Sequence, residues 1–155
     1  MKRSAFLAKM AGVLATALVA GALAIFASSP LVAADSTPTI AVATDAKLGK
    51  ILVDGKGMTL YMYTKDTKDT SNCYGGCAAA WPPLLVTDKP MLGGDVMASL
   101  VSTTKRTDGT MQVTYAGWPL YYWKNDKAAG DTTGQDVGHV WYVVAPDGTI
   151  VKPTM

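Results

Sequence analysis

Glutamate is missing from this chain: all 12 acidic side chains are Asp. Glu favours helices, whereas Asp, Gly, Thr and Pro favour turns and element ends, so the omission points to strands and loops. Phenylalanine is confined to Phe6 and Phe26, and beyond residue 34 every aromatic side chain is Tyr or Trp. Histidine occurs once, at His139, and no Gly-x-Ser-x-Gly run is present. A Ser-His-Asp hydrolase therefore has little to build from. No phosphate-cradling glycine loop precedes a helix. Asp131–Asp136 carries too few regularly spaced oxygens for a calcium loop of the EF-hand type. The remaining Asp residues, in Asp-Gly and Asp-Thr contexts, read as turn formers. An enzyme is the poorer reading.

A basic surplus is also missing once the first 34 residues are set aside. They hold Lys2, Arg3 and Lys9, three of the 14 basic residues, and none of the 12 acidic ones, leaving 11 against 12, a net charge of −1. Nucleic-acid binding needs a basic face, so that class is discarded. Residues 1–34 read as an export signal: a positive start, an uncharged apolar stretch from Met10 to Ala27, and small residues at Val32-Ala33-Ala34 before Asp35. The apolar stretch approaches bilayer-spanning length. An uncleaved anchor is the alternative, and membrane association is expected only in that case. The expected location is periplasmic or extracellular.

What is present is a duplication. Gly57, Leu60, Tyr61, Asp66 and Trp81 recur as Gly117, Leu120, Tyr121, Asp126 and Trp141, 60 residues later. Each copy carries Tyr-x-aromatic-x-x-Asp, with Tyr63 and Trp123 at the central aromatic position. A fixed offset implies one supersecondary unit used twice. The expected organisation is a linker and first strand over 35–44, then one β-rich domain over 45–155 made of repeats at about 45–100 and 101–155. Strands are expected at Thr39–Thr44, Ile51–Val53, Met58–Tyr63, Ser99–Arg106, Thr110–Tyr115, Pro119–Trp123, Val140–Val144 and Thr149–Val151. Asp54-Gly55, Asp108-Gly109 and Pro146-Asp147-Gly148 mark turns. Short helices are expected within Tyr74–Trp81, stopped by Pro82-Pro83, and over Gly94–Leu100. The fold class is thus mainly β: a small antiparallel domain of about eight short strands with one or two short helices.

Alternation places Tyr61 and Tyr63 on one face of their strand and Leu60 and Met62 on the other, with Tyr121 and Trp123 matching in the second copy. A paired aromatic core across a pseudo-twofold axis is the expected arrangement, with Asp66 and Asp126 accepting hydrogen bonds from loop N–H groups. An exposed aromatic platform for a glycan or peptide is the alternative.

The duplicated motif, the run from Cys73-Tyr74-Gly75-Gly76-Cys77 through Trp81-Pro82-Pro83-Leu84, and Gly117-Trp118-Pro119-Leu120-Tyr121 resemble a bacterial family of secreted repeats. That family is described as predicted lipoproteins of unknown function carrying the same motif. The resemblance covers about residues 45–150 and implies an exported envelope protein with no assigned activity. No lipid-acceptor cysteine lies near the end of the signal segment, a departure from the lipoprotein label.

Cys73 and Cys77 are the only cysteines. In an oxidising exported compartment, a pair this close is expected to form a disulfide. Thr133 and Val137 replace them in the second copy, so the repeat fold does not require the bridge. Copper is the alternative: Cys73, Cys77 and His139 form a possible ligand set, with Met58, Met62, Met91, Met97 and Met111 adding soft sulfur. A thiol–disulfide oxidoreductase fits less well, because two-residue spacing and a βαβ context are both lacking. The expected function is therefore a non-enzymatic envelope module, without cofactor, binding an envelope partner or polymer or serving structurally. The alternative is copper binding or electron-transfer support.

Overall fold

A computed structural model describes residues 39–152. The expected export signal, its expected cleavage before Asp35 and the expected linker at 35–38 lie outside the described residues. No helix within them is long and apolar enough to cross a membrane.

The described chain is mainly β, with eight strands. β1 (Ala41–Asp45) and β2 (Gly49–Val53) form a hairpin in which Ala43 faces Ile51. β3 (Tyr61–Tyr63) is followed by a one-turn helix, α1 (Gly76–Ala80), and by β4 (Leu85–Val86). β5 (Val101–Lys105) and β6 (Met111–Tyr115) form the second hairpin, turning at Asp108-Gly109. Gly109 has φ +88°, the left-handed conformation that the Asp-Gly signal implies. β7 (Trp118–Pro119) and β8 (Trp141–Val143) complete the set.

Three expectations are corrected. The strand expected over Pro119–Trp123 is confined to β7, and Tyr121 makes only isolated bridges, to Tyr61 and Pro83. Thr149–Val151 is not a strand; only Ile150 makes a single antiparallel bridge, to Val144. Leu85–Val86, which the sequence reading passed over, pairs instead with Gln112 and Met111 of β6. The helix expected over Gly94–Leu100 shrinks to a 3-10 turn at Ala98–Leu100. Gly94 and Asp95 form a turn in which Asp95 takes φ +63°, a left-handed conformation that an α-helix does not tolerate.

The repeats are threaded through one another. β3 of the first copy pairs antiparallel with β8 of the second, Tyr61 facing Val143 and Tyr63 facing Trp141. The counterpart contact joins Tyr121 to Pro83. The symmetry continues along the backbone: Thr64 N–H donates to the Val140 carbonyl at 2.8 Å, and Lys124 N–H to the Ala80 carbonyl at 3.0 Å. At the centre, Tyr61 and Tyr121 exchange both backbone hydrogen bonds at 2.9 Å. The pseudo-twofold axis passes between these two residues.

Both faces of β3 are buried. Leu60 and Met62 join Ile40, Leu52, Leu84, Val113 and Leu120 in an aliphatic cluster on one side. Tyr61 joins Trp81, Tyr121 and Trp141 on the other. The hairpins lie one residue out of step with the motif. Leu60 N–H donates to the Leu52 carbonyl, whereas Leu120 N–H donates to that of Val113, the residue after the one a fixed offset selects. The first copy has the extra residue in the turn before Gly57, so the fixed spacing holds from that glycine onward.

Candidate functional site

The motif residues converge on the pseudo-twofold axis. Tyr61 and Tyr121 are fully buried, and Trp81 and Trp141 are each 4% exposed. The two indoles stack almost parallel, with centroids 3.9 Å apart and planes inclined by 4°. Each is capped on its outer face by the other copy: Tyr63 lies 4.2 Å from Trp141, and Trp123 lies 4.1 Å from Trp81. The result is a column of four rings, Tyr63–Trp141–Trp81–Trp123, whose end rings are half-buried. Tyr61 meets Trp81 edge-on at 5.4 Å, and Tyr121 meets Trp141 edge-on at 5.2 Å. Edge-on and offset-stacked contacts are the favourable aromatic geometries, each adding about 0.5–1.5 kcal/mol beyond area burial.

The tyrosine hydroxyls cross between repeats as well. Tyr61 Oη donates to Asp126 Oδ2 at 2.7 Å, and Tyr121 Oη donates to Asp66 Oδ2 at 2.7 Å. The other carboxylate oxygens tie down local loops. Asp66 Oδ1 accepts from Asn72 N–H at 2.7 Å. Asp126 Oδ1 accepts from Thr133 N–H at 3.0 Å and from its hydroxyl at 2.6 Å. Burial, reinforced by the adjoining carboxylate, holds both tyrosine hydroxyls far above the ordinary phenol range. Burial also raises the Asp66 carboxyl above its usual value, against the opposing pull of Tyr121, Asn72 and Arg106.

The two copies finish the site differently. In the second, Gly134 N–H donates to Tyr61 Oη at 3.1 Å, and a Cβ at Gly134 would sit 2.8 Å from the Tyr61 ring and 2.9 Å from Trp81. The first copy has Tyr74 at that position, and Arg106 of the second copy, 4% exposed, lies over the Tyr74 ring at 4.3 Å. Arg106 Nη1 donates to Ser71 Oγ at 2.8 Å and to Gln112 Oε1 at 2.7 Å, and Nη2 to the Cys73 carbonyl at 2.8 Å. Ser71 Oγ in turn lies 2.7 Å from Tyr121 Oη, so a buried cation reaches Asp66 through two hydroxyls. Reading the motif missed Arg106, Ser71 and Gln112. An arginine at the end of a hairpin strand reads as a solvated charge, and nothing local in the sequence marks it as interior.

Cys73 and Cys77 are joined in a disulfide, with Cα atoms 5.2 Å apart, tying the buried Cys73 to α1 and hence to Trp81. The proposed copper ligands do not share one place. Both cysteines are used by the bridge, and the His139 side chain is 86% exposed beside Asp136. Met62 is in the core, Met58 and Met111 are half-buried, and Met91 and Met97 are exposed. No group of three or more His, Cys, Asp or Glu side chains converges among the described residues. A surface groove of about 660 Å³ lies between β4 and the Asp108-Gly109 turn, lined by Leu85, Met91 and Met111; no motif residue reaches it.

No curated protein and no solved structure matches the chain. A family model does, twice, over residues 42–85 and 102–145, the two segments that carry the crossed tyrosines, carboxylates and indoles. The chain therefore belongs to the exported family described as a secreted repeat of unknown function.

Proposed function

We propose that this chain is a non-enzymatic module of the cell envelope, working in the periplasm or outside the cell, in which the duplicated motif fastens two repeats into one body. One observation carries the reading. The side chains that define the motif meet each other in the interior, with Tyr61 and Tyr121 fully buried. A polymer or partner protein is then met by the outer surface and not by a Tyr/Trp platform. Among the described residues the single histidine and the buried Ser71 also stand apart, so no Ser–His couple forms. Ser71 Oγ faces Tyr121 and Arg106, and His139 faces only Asp136.

The test is unfolding by denaturant. Tyr61→Ala and Tyr121→Ala are each expected to lose about 3–5 kcal/mol, as large aromatic truncations in cores do. Near-wild-type stability for both variants would return the motif to the role of binding platform. Elemental analysis of protein purified from its own compartment addresses the copper alternative, and stoichiometric copper there would overturn the cofactor-free reading.

A further inference from the structure

The aromatic column goes beyond what a fastener needs. Four oxidisable rings run in unbroken contact, with centroid steps of 4.2, 3.9 and 4.1 Å, between two half-buried ends. Beside the two inner indoles stand two tyrosines, and each hydroxyl already points its proton at a carboxylate 2.7 Å away. That distance is within the range for proton transfer to a positioned base. Stacked π systems exchange an electron readily at van der Waals contact. A phenol is far easier to oxidise when its proton has an acceptor in place, because the charged phenol cation is then avoided.

We propose that the column and its two tyrosine–carboxylate pairs form a proton-coupled relay for one-electron oxidising equivalents, accepting them at a half-buried end ring and storing them on Tyr61 and Tyr121. The oxidant is an outer-sphere one-electron acceptor, such as a high-potential metal complex, at the protein surface. It takes one electron from Trp123 and is itself reduced by one. Trp81 then gives an electron to the Trp123 radical cation. Tyr61 gives one to the Trp81 radical cation. As it does so, its O–H bond breaks and a new O–H bond forms at Asp126 Oδ2. The products are neutral Trp81, a neutral tyrosyl radical and a protonated Asp126. Tyr121 and Asp66 serve Trp141 in the same way. A one-electron reductant, such as an exported thiol or ascorbate-class donor, returns the electron, and the proton moves back to the phenol. Burial blocks the alternative of prior ionisation, since both phenols are held far above their ordinary titration range.

The fold contains its own controls. Tyr122 Oη also donates to a carboxylate, Asp54 Oδ2 at 3.1 Å, yet its ring belongs to none of the aromatic pairs. Trp118 is likewise outside the column and packs against the aliphatic cluster. The experiment is flash-quench oxidation of the mature protein by a photogenerated ruthenium(III) polypyridyl complex, followed by transient absorption and freeze-trapped electron paramagnetic resonance. Wild-type protein and Tyr122→Phe are expected to give the same tyrosyl radical yield, forming more slowly in heavy water. Tyr61→Phe/Tyr121→Phe is expected to lose the heavy-water-sensitive tyrosyl signal, leaving only that of Tyr63 and a longer-lived tryptophan radical. If this double variant fails to fold, Tyr63→Phe/Trp123→Phe keeps an aromatic ring at each half-buried end, removes both oxidisable ends, and should slow tyrosyl formation several-fold. An undiminished tyrosyl signal in Tyr61→Phe/Tyr121→Phe overturns the relay. So does an equal loss in Tyr122→Phe, or an unchanged rate in the end-ring variant.

Discussion

Tyr61 and Asp66 sit five positions apart in one motif, yet neither bonds to the other. Each partner lies in the opposite copy: Tyr61 with Asp126 and Tyr121 with Asp66. The crossing separates the pairs that sequence proximity suggests from those that physics couples. A double-mutant cycle between Tyr61→Phe and Asp126→Asn is expected to show a coupling of about 1–3 kcal/mol, as for a buried hydrogen bond to a charged group. The cycle between Tyr61→Phe and Asp66→Asn should give less than about 0.5 kcal/mol, because no hydrogen bond joins the two. Equal couplings in the two cycles would contradict the crossed geometry. The motif residues were legible because a fixed repeat selects them, and their alternation correctly separates Tyr61 from Leu60 and Met62. Their partners were not. A periodic pattern reports which side of a strand a residue occupies, and says nothing about which distant segment comes to meet it.

Among the elements, those with local causes were the readable ones. The β5–β6 hairpin follows from Asp108-Gly109, whose backbone angles and side-chain acceptor are supplied within the turn itself: Asp108 Oδ1 takes the Thr110 N–H at 2.9 Å. Helix α1 stops before Pro82-Pro83, as the missing N–H groups require. β4 had no such signal. Leu85 and Val86 become a strand only because β6 offers an edge to pair with, and that edge is set by tertiary structure. The disulfide belongs to this scale, since it joins α1 to the segment buried beneath it. In the second copy, Thr133 does comparable anchoring work with two hydrogen bonds to Asp126. Replacing Cys73 and Cys77 with Ser is therefore expected to lower stability by about 1–3 kcal/mol while leaving a cooperative native state, in keeping with the short loop the bridge closes. Calorimetry under reducing and oxidising conditions checks this, and a double variant that does not fold would make the bridge essential to the repeat.

For the molecule as a whole, the decisive property is that neither repeat owns a complete core. β3 takes its partner from β8, Tyr121 bridges to Pro83, and β4 takes its partner from β6. Each Trp is capped by a ring of the other copy. A chain cut between Gly94 and Asp95 would leave every one of these contacts spanning the cut. Each half would then expose half of an aromatic column, a buried Tyr without its carboxylate, and strand edges without partners. Unpaired buried polar groups and lost strand pairs cost more than a small half-domain can recover from its remaining hairpin. The two fragments, residues 35–94 and 95–155, are thus expected to be unfolded separately and to reassemble one-to-one on mixing, regaining the near-ultraviolet circular dichroism of the stacked indoles. Isothermal titration and sedimentation measure the association. A first-copy fragment that folded cooperatively alone would show the repeats to be autonomous units side by side, and the crossed tyrosine–carboxylate pairs would then be a consequence of docking instead of a condition for folding.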